Sequence, residues 1–191
     1  MPIKIKEDVY KITGEGNVYI ILNSEPFLID ASDNLDSKYI LEEIKKLINP
    51  EKIKKILLTH LHYDHCGNID LFPNAEVYAS EKELENFKET PDDFFIQGIS
   101  QKARKMLEKA KPLQEEMNNL EIIKVPGHTK GSVAFLDKKR KLLFSGDTLF
   151  ENGIGRTDFK NSIPEEMAGS LDKLEELMKE HGLRLCPGHD Y

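Results

Sequence analysis

Three histidines and an aspartate lie within six residues of one another, in the segment His60-Leu61-His62-Tyr63-Asp64-His65. Imidazole and carboxylate groups are ligands for divalent transition metals, and four of them on one short segment could begin a metal site. In an extended backbone His60 and His62 point to the same side, because side chains alternate with a period of two residues. Metal binding is therefore the chemistry that this segment predicts.

The other histidines extend this pattern. The chain has six histidines, and two of the remaining three follow a proline and a glycine, in Pro126-Gly127-His128 and Pro187-Gly188-His189. The glycine lets the backbone turn tightly, so that the next imidazole can project into a cleft. Only His181 lacks such a setting, and its position before Gly182 suits the C-terminal end of a helix. Five of the six histidines lie in glycine- and aspartate-rich segments, which favours a metal site over solvated side chains.

The order of these motifs resembles that of the metallo-β-lactamase superfamily. The segments that carry the resemblance are His60-x-His62-x-Asp64-His65, Gly127-His128-Thr129, Ser145-Gly146-Asp147-Thr148 and Gly188-His189. The resemblance covers essentially the whole chain and implies an α+β fold, the four-layer αββα sandwich, in one domain at residues 1–191. Within the superfamily the chain looks most like the glyoxalase II-type hydrolases, through Asp147-Thr148-Leu149-Phe150 followed by Gly153-x-Gly155-Arg156.

The resemblance implies two divalent metal ions, with zinc expected first and iron or manganese as alternatives. In such a site one ion would be bound by His60, His62 and His128, the second by Asp64, His65 and His189, and both by a bridging Asp147. A hydroxide between two ions is a nucleophile at neutral pH, and Asp64 is the candidate that shuttles a proton. The implied activity is that of a hydroxyacylglutathione hydrolase-like enzyme, which cleaves a small thioester or ester; no substrate-binding residue is predicted.

A mononuclear non-haem iron persulfide dioxygenase is the alternative. That branch resembles this chain through Gly155-Arg156-Thr157-Asp158-Phe159. There His60, His128 and Asp147 would bind one iron ion and leave positions open for oxygen.

The loop after Asp147 departs from the glutathione-specific enzymes. Those enzymes carry lysine and then tyrosine where this chain has Arg156 and Asp158, so lactoyl-glutathione is expected to be a poor substrate. Arg156 is expected either to contact an anionic substrate or to pair with a loop carboxylate such as Asp158.

Composition and charge disfavour several classes of protein. A net charge of −7 disfavours a nucleic-acid partner, because phosphate backbones reward clustered lysine and arginine. No apolar run approaches the roughly 20 residues of a membrane span, and the N-terminus lacks the apolar core of a signal peptide. Cys66 and Cys186 are too few for a disulfide framework and are expected to be small buried residues. We expect a cytoplasmic enzyme that acts on a small molecule, without membrane contact; its oligomeric state is not predicted.

The hydrophobic pattern predicts the elements that must position these groups. Helices are predicted at 35–48, after Ser80, in a lysine-rich stretch ending near 109, and at 162–179. A half-exposed strand or a hairpin is predicted at 3–12, and strands are predicted at 18–22, 27–29, 53–58, 75–79, 120–125, 132–136, 141–144 and 183–186. Ser80 with Glu83, and Ser162 with Glu165, resemble capping boxes. The ligand segments follow strands, so they are expected to collect along one edge of the sheets.

Two further segments are open to more than one interpretation. Asp30, at the end of the third predicted strand, could orient a ligand imidazole or a loop, or it could cap a turn. Residues 90–119 could form a wall or lid of the pocket, or Phe94 and Phe95 could anchor a surface helical hairpin.

Overall fold

The first part of the chain forms a seven-stranded mixed sheet in a computed structural model that describes residues 1–94 and 98–191. In chain order, which is also their order in the sheet, the strands are β1 (Ile3–Lys6), β2 (Val9–Ile12), β3 (Val18–Ile21), β4 (Phe27–Ile29), β5 (Lys55–Leu57), β6 (Glu76–Ala79) and β7 (Lys111–Pro112). Strands β1 to β4 pair antiparallel, and β4 to β7 pair in parallel. Parallel neighbours need crossover connections, which contain the helices α1 (Ser37–Lys45), α2 (Tyr63–Cys66), α3 (Glu81–Glu89) and α4 (Gln101–Leu107).

The second part of the chain forms a five-stranded sheet. Its first four strands are antiparallel neighbours, β8 (Glu116–Met117), β9 (Leu120–Lys124), β10 (Val133–Asp137) and β11 (Leu142–Gly146). A small hairpin of β12 (Leu149–Phe150) and β13 (Gly153–Ile154) follows, and then the helix α5 (Pro164–His181). This helix returns the chain to β14 (Arg184–Pro187), which pairs in parallel with β11.

The two sheets pack face to face and helices cover their outer faces. Alternate residues of one strand point to opposite faces, so Tyr19 and Ile21 join Phe135 between the sheets, while Ile20 faces the helices of the first half. On the second sheet Leu136 packs instead under α5. The predicted α+β fold, a four-layer αββα sandwich, is confirmed.

The segment that carries the first motif differs in detail from the prediction. The strand predicted at 53–58 is only β5 and ends at Leu57, so His60 and His62 lie in irregular backbone rather than in a strand. Asp64 and His65 lie on the one-turn helix α2. The turn of helix places both side chains on the side of the preceding histidines.

Only part of the predicted capping is correct. The Ser80 side chain does accept a hydrogen bond from the Glu83 N–H at 3.1 Å and caps α3, but the Glu83 carboxylate does not reach back. The capping box at Ser162 is wrong. Helix α5 begins at Pro164 after Ile163 and has no side-chain cap, and the Ser162 hydroxyl donates to the His128 carbonyl instead. Gly182 ends α5 in the left-handed region, as predicted.

The stretch at 90–119 combines α4 with the two-residue strands β7 and β8. Phe94 is fully buried, whereas Phe95 lies outside the described residues. Within residues 1–94 and 98–191, no helix combines the length and apolar character needed to cross a bilayer.

Candidate metal centre

Loops from both sheets bring all seven predicted site residues together. His60 and His62 follow β5, Asp64 and His65 lie on α2, His128 lies between β9 and β10, Asp147 follows β11, and His189 follows β14. Six of the seven are buried, and Asp64 is partly exposed. The sequence therefore identified one connected cluster.

The potential ligand atoms form three overlapping groups within 4.8 Å: His60–His62–His128, His60–His65–Asp147 and Asp64–His65–His189. The carboxylate of Asp147 lies between the other groups. Its Oδ1 is 3.1 Å from His65 Nε2, and its Oδ2 is 3.2 Å from His189 Nε2 and 3.6 Å from His128 Nε2. Its position is that of a group able to contact two ions.

Hydrogen bonds behind the imidazoles determine which nitrogen faces the centre. The Thr59 hydroxyl donates to Asp30 at 2.8 Å, so its oxygen must accept from the Nδ1–H of His60 at 3.1 Å. A carbonyl only accepts, so His128 donates its Nδ1–H to Arg156 O at 2.7 Å. Both rings are then unprotonated at Nε2. Partners of this kind fix ligand orientation in metal sites.

His62 and His65 are anchored in the same way. The Asn161 amide contacts His62 Nε2, which leaves Nδ1 facing the centre, 2.8 Å from His128 Nε2. His65 donates its Nδ1–H to Asp30 at 2.9 Å, and its Nε2 faces the centre. The donor atoms are therefore aimed before any ion binds.

The surroundings of His60 Nε2 indicate that these residues fit a metal ion. His60 Nε2 is buried and has no hydrogen-bond partner among the described residues. An unpaired buried polar atom costs about 1–3 kcal/mol. A divalent cation bound by this atom and its neighbours would remove that cost, so the donor set fits metal ions.

Burial and charge set the protonation of the ligands. Burial lowers the pKa of His60 and His128 below the ordinary value and that of His62 to about 3, so these three imidazoles are neutral near pH 7. Burial alone would raise the pKa of Asp147, but the neighbouring imidazoles, above all His65, hold it well below its ordinary value. These are the forms that bind metals. Burial would lower the pKa of the other two imidazoles, but the neighbouring carboxylates raise the pKa of His65 well above its ordinary value and that of His189 to about 9, so metal binding would displace a proton from each.

Of its two predicted roles, Asp30 has that of orienting a candidate ligand imidazole, His65. Its carboxylate accepts hydrogen bonds from the Thr59 N–H and hydroxyl, both at 2.8 Å, and from His65. Its backbone is left-handed, with φ 56°, a conformation that aspartate tolerates better than most residues. Asn161 was not predicted, because no motif marks it.

A cavity of about 520 Å³ opens over the cluster. Phe94 and Phe159 line it beside His62, with ring centroids 6.1 and 5.1 Å from that imidazole. Phe150 and Tyr191 line it beside His189. At Phe94, the segment at 90–119 therefore forms a wall of the pocket.

Arg156 lines the same cavity but is already paired. Its guanidinium makes two hydrogen bonds with Asp158, at 2.9 and 2.7 Å, and it lies 4.8 Å from the centre of the Phe159 ring. The predicted ion pair with Asp158 is confirmed.

Both cysteines are buried and unpaired. Burial raises the pKa of Cys66 well above its ordinary value and that of Cys186 to about 12. Because a thiolate is the reactive form, their predicted role as small buried residues is confirmed.

An αββα sandwich with histidines and aspartates gathered at its strand ends defines a class of metal-binding hydrolases. The chain belongs to the metallo-beta-lactamase superfamily, whose sequence profile matches residues 12–189.

Similar proteins include two probable metallo-hydrolases. One, from Streptococcus pyogenes serotype M6, is 32% identical over 98% of this chain and 84% of its own length. The other, from Methanocaldococcus jannaschii, is 29% identical over 95% of this chain and 92% of its own length. A hydroxyacylglutathione hydrolase from a Synechococcus strain is 30% identical over 91% of this chain, but the match spans only 63% of that relative.

Among solved structures, TTHA1623 in a di-iron-bound form has a TM-score of 0.72 and 27% identity, and the match covers 100% of this chain and 92% of that one. A metallo-beta-lactamase family protein from Thermus thermophilus has a TM-score of 0.69 at 22% identity, over 98% of this chain and 75% of that one. The second likeness concerns the fold alone.

Proposed function

We propose that this protein is a hydrolase that uses two divalent metal ions, zinc in the first place, to cleave a small thioester or ester. Three ligand groups overlap through His60 and His65, with the Asp147 carboxylate between them, and this overlap carries the proposal because it offers enough donors for two adjacent ions. One ion would be held by His60, His62 and His128, the other by Asp64, His65 and His189, and both by Asp147.

The chemistry of such a site suits carboxylic acid derivatives. Two divalent ions lower the pKa of bound water to about 7 and stabilise negative charge on oxygen. The surrounding residues keep the ligands in place, and Asp64 faces the cavity. Burial would raise the pKa of Asp64, but a hydrogen bond from His189 outweighs it and lowers the pKa below the ordinary value. The ionised carboxylate is then available to accept a proton from the attacking water.

The cavity walls favour a substrate with an uncharged, apolar acyl group. Aromatic side chains flank both ends of the ligand cluster. Apart from histidines, Arg156 is the one basic residue among the described residues that line the cavity. Its charge is already paired with Asp158. Glu15 adds a negative charge at the cavity. The cavity walls therefore offer few positive charges to pair with the two carboxylates of a glutathione thioester.

Metal content and substrate preference test the proposal together. We expect about two ions per chain by elemental analysis. Neutral acyl thioesters of N-acetylcysteamine should be hydrolysed faster than lactoyl-glutathione, with a lactone and a phosphodiester completing the panel. Protein that holds two ions and hydrolyses none of these compounds would refute the proposed activity. Selective hydrolysis of lactoyl-glutathione would instead show that the loop around Arg156 accepts glutathione.

A persulfide dioxygenase with a single iron ion remains the second candidate. The resemblance to that enzyme rests on the loop at residues 155–159. This loop supports a candidate iron ligand directly, because the Arg156 carbonyl accepts a hydrogen bond from His128. The di-iron form of TTHA1623 concerns a chain of 27% identity and makes iron a metal worth testing. One iron ion per chain together with oxygen uptake on a persulfide would favour this candidate over the hydrolase.

We further propose a cytoplasmic location and a small-molecule substrate, without nucleic-acid or membrane partners. Two unpaired, buried thiols suit a reducing compartment. The net charge of −7 does not suit a phosphate backbone. Fractionation of the source cells tests the location.

A further inference from the structure

The first turn of helix α3 carries a buried carboxylate, Glu83, which contacts both the loop of His60 and His62 and the loop of His128. The side chain of Glu83 is completely buried. Its Oε2 accepts the Leu61 N–H at 2.9 Å. Its Oε1 accepts the Thr129 hydroxyl at 2.7 Å and the Gly131 N–H at 3.0 Å. Leu61 stands between His60 and His62, and Thr129 follows His128 in the chain.

The surroundings of Glu83 suit an ionised carboxylate. Burial raises the pKa of Glu83 above its ordinary value, but its three hydrogen-bond partners all donate, and the N-terminus of a helix favours negative charge. The same helix end makes another contact with the loop, because the Ser80 hydroxyl donates to Gly131 O at 2.6 Å. A Cβ atom on Gly131 would come within 2.5 Å of the Glu83 nitrogen, so the loop and the helix touch closely.

We propose that Glu83 is a positioning residue that sets the distance between the His60–His62 segment and His128. These ligands come from different sheets, and one carboxylate joins the backbone of both loops. The proposal rests on the ligand set of the proposed function. Glu83 would support the binding of one ion alone, because its three hydrogen bonds go to sequence neighbours of His60, His62 and His128. None of them goes to a neighbour of His189.

The substitution Glu83→Gln tests the proposal while keeping the side chain's size. The new amide NH₂ would face at least one N–H or O–H donor, so one loop must move. We expect the affinity for one Zn²⁺ ion to fall about 10–100-fold, the effect typical of lost support behind metal ligands, while the second ion keeps its affinity. Competition with a chromophoric chelator measures both affinities, and the visible spectrum of the Co²⁺ protein reports the changed ligand geometry.

Asp137→Asn is the matched control. Asp137 is also a completely buried carboxylate, but its partner is Arg140, outside the cluster. Its loss should lower the melting temperature and leave both Zn²⁺ affinities unchanged. A purely structural role for Glu83 would reproduce that result, or weaken both ions equally, and either outcome overturns the proposal.

Thr129→Val provides a gentler test if Glu83→Gln does not fold. It removes one donor to Glu83 and keeps the shape of the side chain, and we expect up to about a tenfold loss for the same single ion, the lower end of such effects. Unchanged affinity in this variant would overturn the proposal. Because metal affinity is read without any substrate, failure of the hydrolase assignment would leave this result interpretable.

Discussion

His60 lies at the centre of the histidine cluster and, like His65, belongs to more than one ligand group. It belongs to two of the three groups, and its ring centroid lies 4.7 Å from those of His62 and His128 and 4.2 Å from that of His65. Its tautomer follows from the hydrogen bonds of Thr59, which in turn depend on Asp30. The buried Asp30 carboxylate therefore orients His60 through Thr59 and His65 directly, one candidate ligand of each proposed ion.

Asp64 distinguishes the two candidate functions. With two metals, Asp64→Asn removes a ligand and the proton acceptor together. We expect weaker binding of one ion and a loss in kcat of at least about 10²-fold, the lower end for loss of a general acid or base. Metal content and steady-state hydrolysis of the variant and the parent measure this. With a single iron at His60, His128 and Asp147, the variant should keep its metal. Full metal content with full hydrolytic rate in Asp64→Asn would contradict the two-metal mechanism.

Gly188 is required by space rather than by conformation. A Cβ atom at this position would lie 2.1 Å from Asp147 Oδ1 and 2.8 Å from His65 Cε1. We expect Gly188→Ala to displace one of these side chains and to reduce metal content by at least one ion. Gly153→Ala is the matched control, because nothing lies within 4 Å of the added atom and it should bind metal like the parent. Equal metal content in both variants would show that the site adapts easily.

At the scale of residues, the seven candidate ligands could be recognised in the sequence, whereas the residues that support them could not. The candidate ligands have distinctive types and spacing. Glu83 stands three residues after a serine at a helix start, where a capping role is the ordinary expectation. Its use by two loops distant in sequence is visible only in three dimensions. Asn161 has no local signal at all.

At the scale of elements, the long hydrophobic runs were predictable and the short strands were not. β9, β10 and β11 have five residues each, most of them apolar. β7, β8, β12 and β13 have two residues each, too few for a period to appear. The predicted strand at 53–58 lost its last residue and its first two because pairing with neighbouring strands, rather than hydrophobicity, decides where a strand ends.

An ion-pair network joins the turns of two hairpins, one from each sheet. Arg140, in the β10–β11 turn, holds Asp8 of the β1–β2 turn through two hydrogen bonds and also contacts Asp137. The hydrogen bond from Arg140 is the main reason that the pKa of Asp8 lies below its ordinary value of 3.8. Asp8 is about a third exposed, so the pair contributes about 1 kcal/mol at most.

This network predicts a pH-dependent difference in stability. A carboxylate with a lowered folded-state pKa stabilises the protein above its unfolded pKa, and the contribution disappears as the pH falls through the folded value. Asp8→Asn should therefore melt about 2–4 °C below the parent at pH 7, and the gap should close below about pH 4. Thermal melts of metal-free protein from neutral to acidic pH measure it. A gap that stays constant with pH would mean that packing, not charge, is responsible.

At the scale of the whole molecule, the ligand cluster depends on both sheets at once. His60 and His62 extend from the first sheet, and His128, Asp147 and His189 extend from the second. We propose that residues 1–191 unfold as one domain. The order of motifs was enough to predict this architecture, because each motif marks the end of a particular strand of the family fold.

Metal binding should stabilise the entire chain for the same reason. Ions that bind only the folded cluster raise stability by mass action. We expect a single calorimetric transition that moves to higher temperature with Zn²⁺ and to lower temperature with a chelator. Two separate transitions, of which only one responds to Zn²⁺, would contradict a single domain.

The contacts of Phe159 with the cluster have an optical consequence. Its ring lies nearly edge-on to His62 and His128, with centroids 5.1 and 5.7 Å away, and the chain contains no tryptophan. Phe159→Trp would place a lone indole fluorophore beside the first ligand group, free of background from other indoles. Its emission would then report on the arrival of an ion, and a paramagnetic metal at this range would quench it.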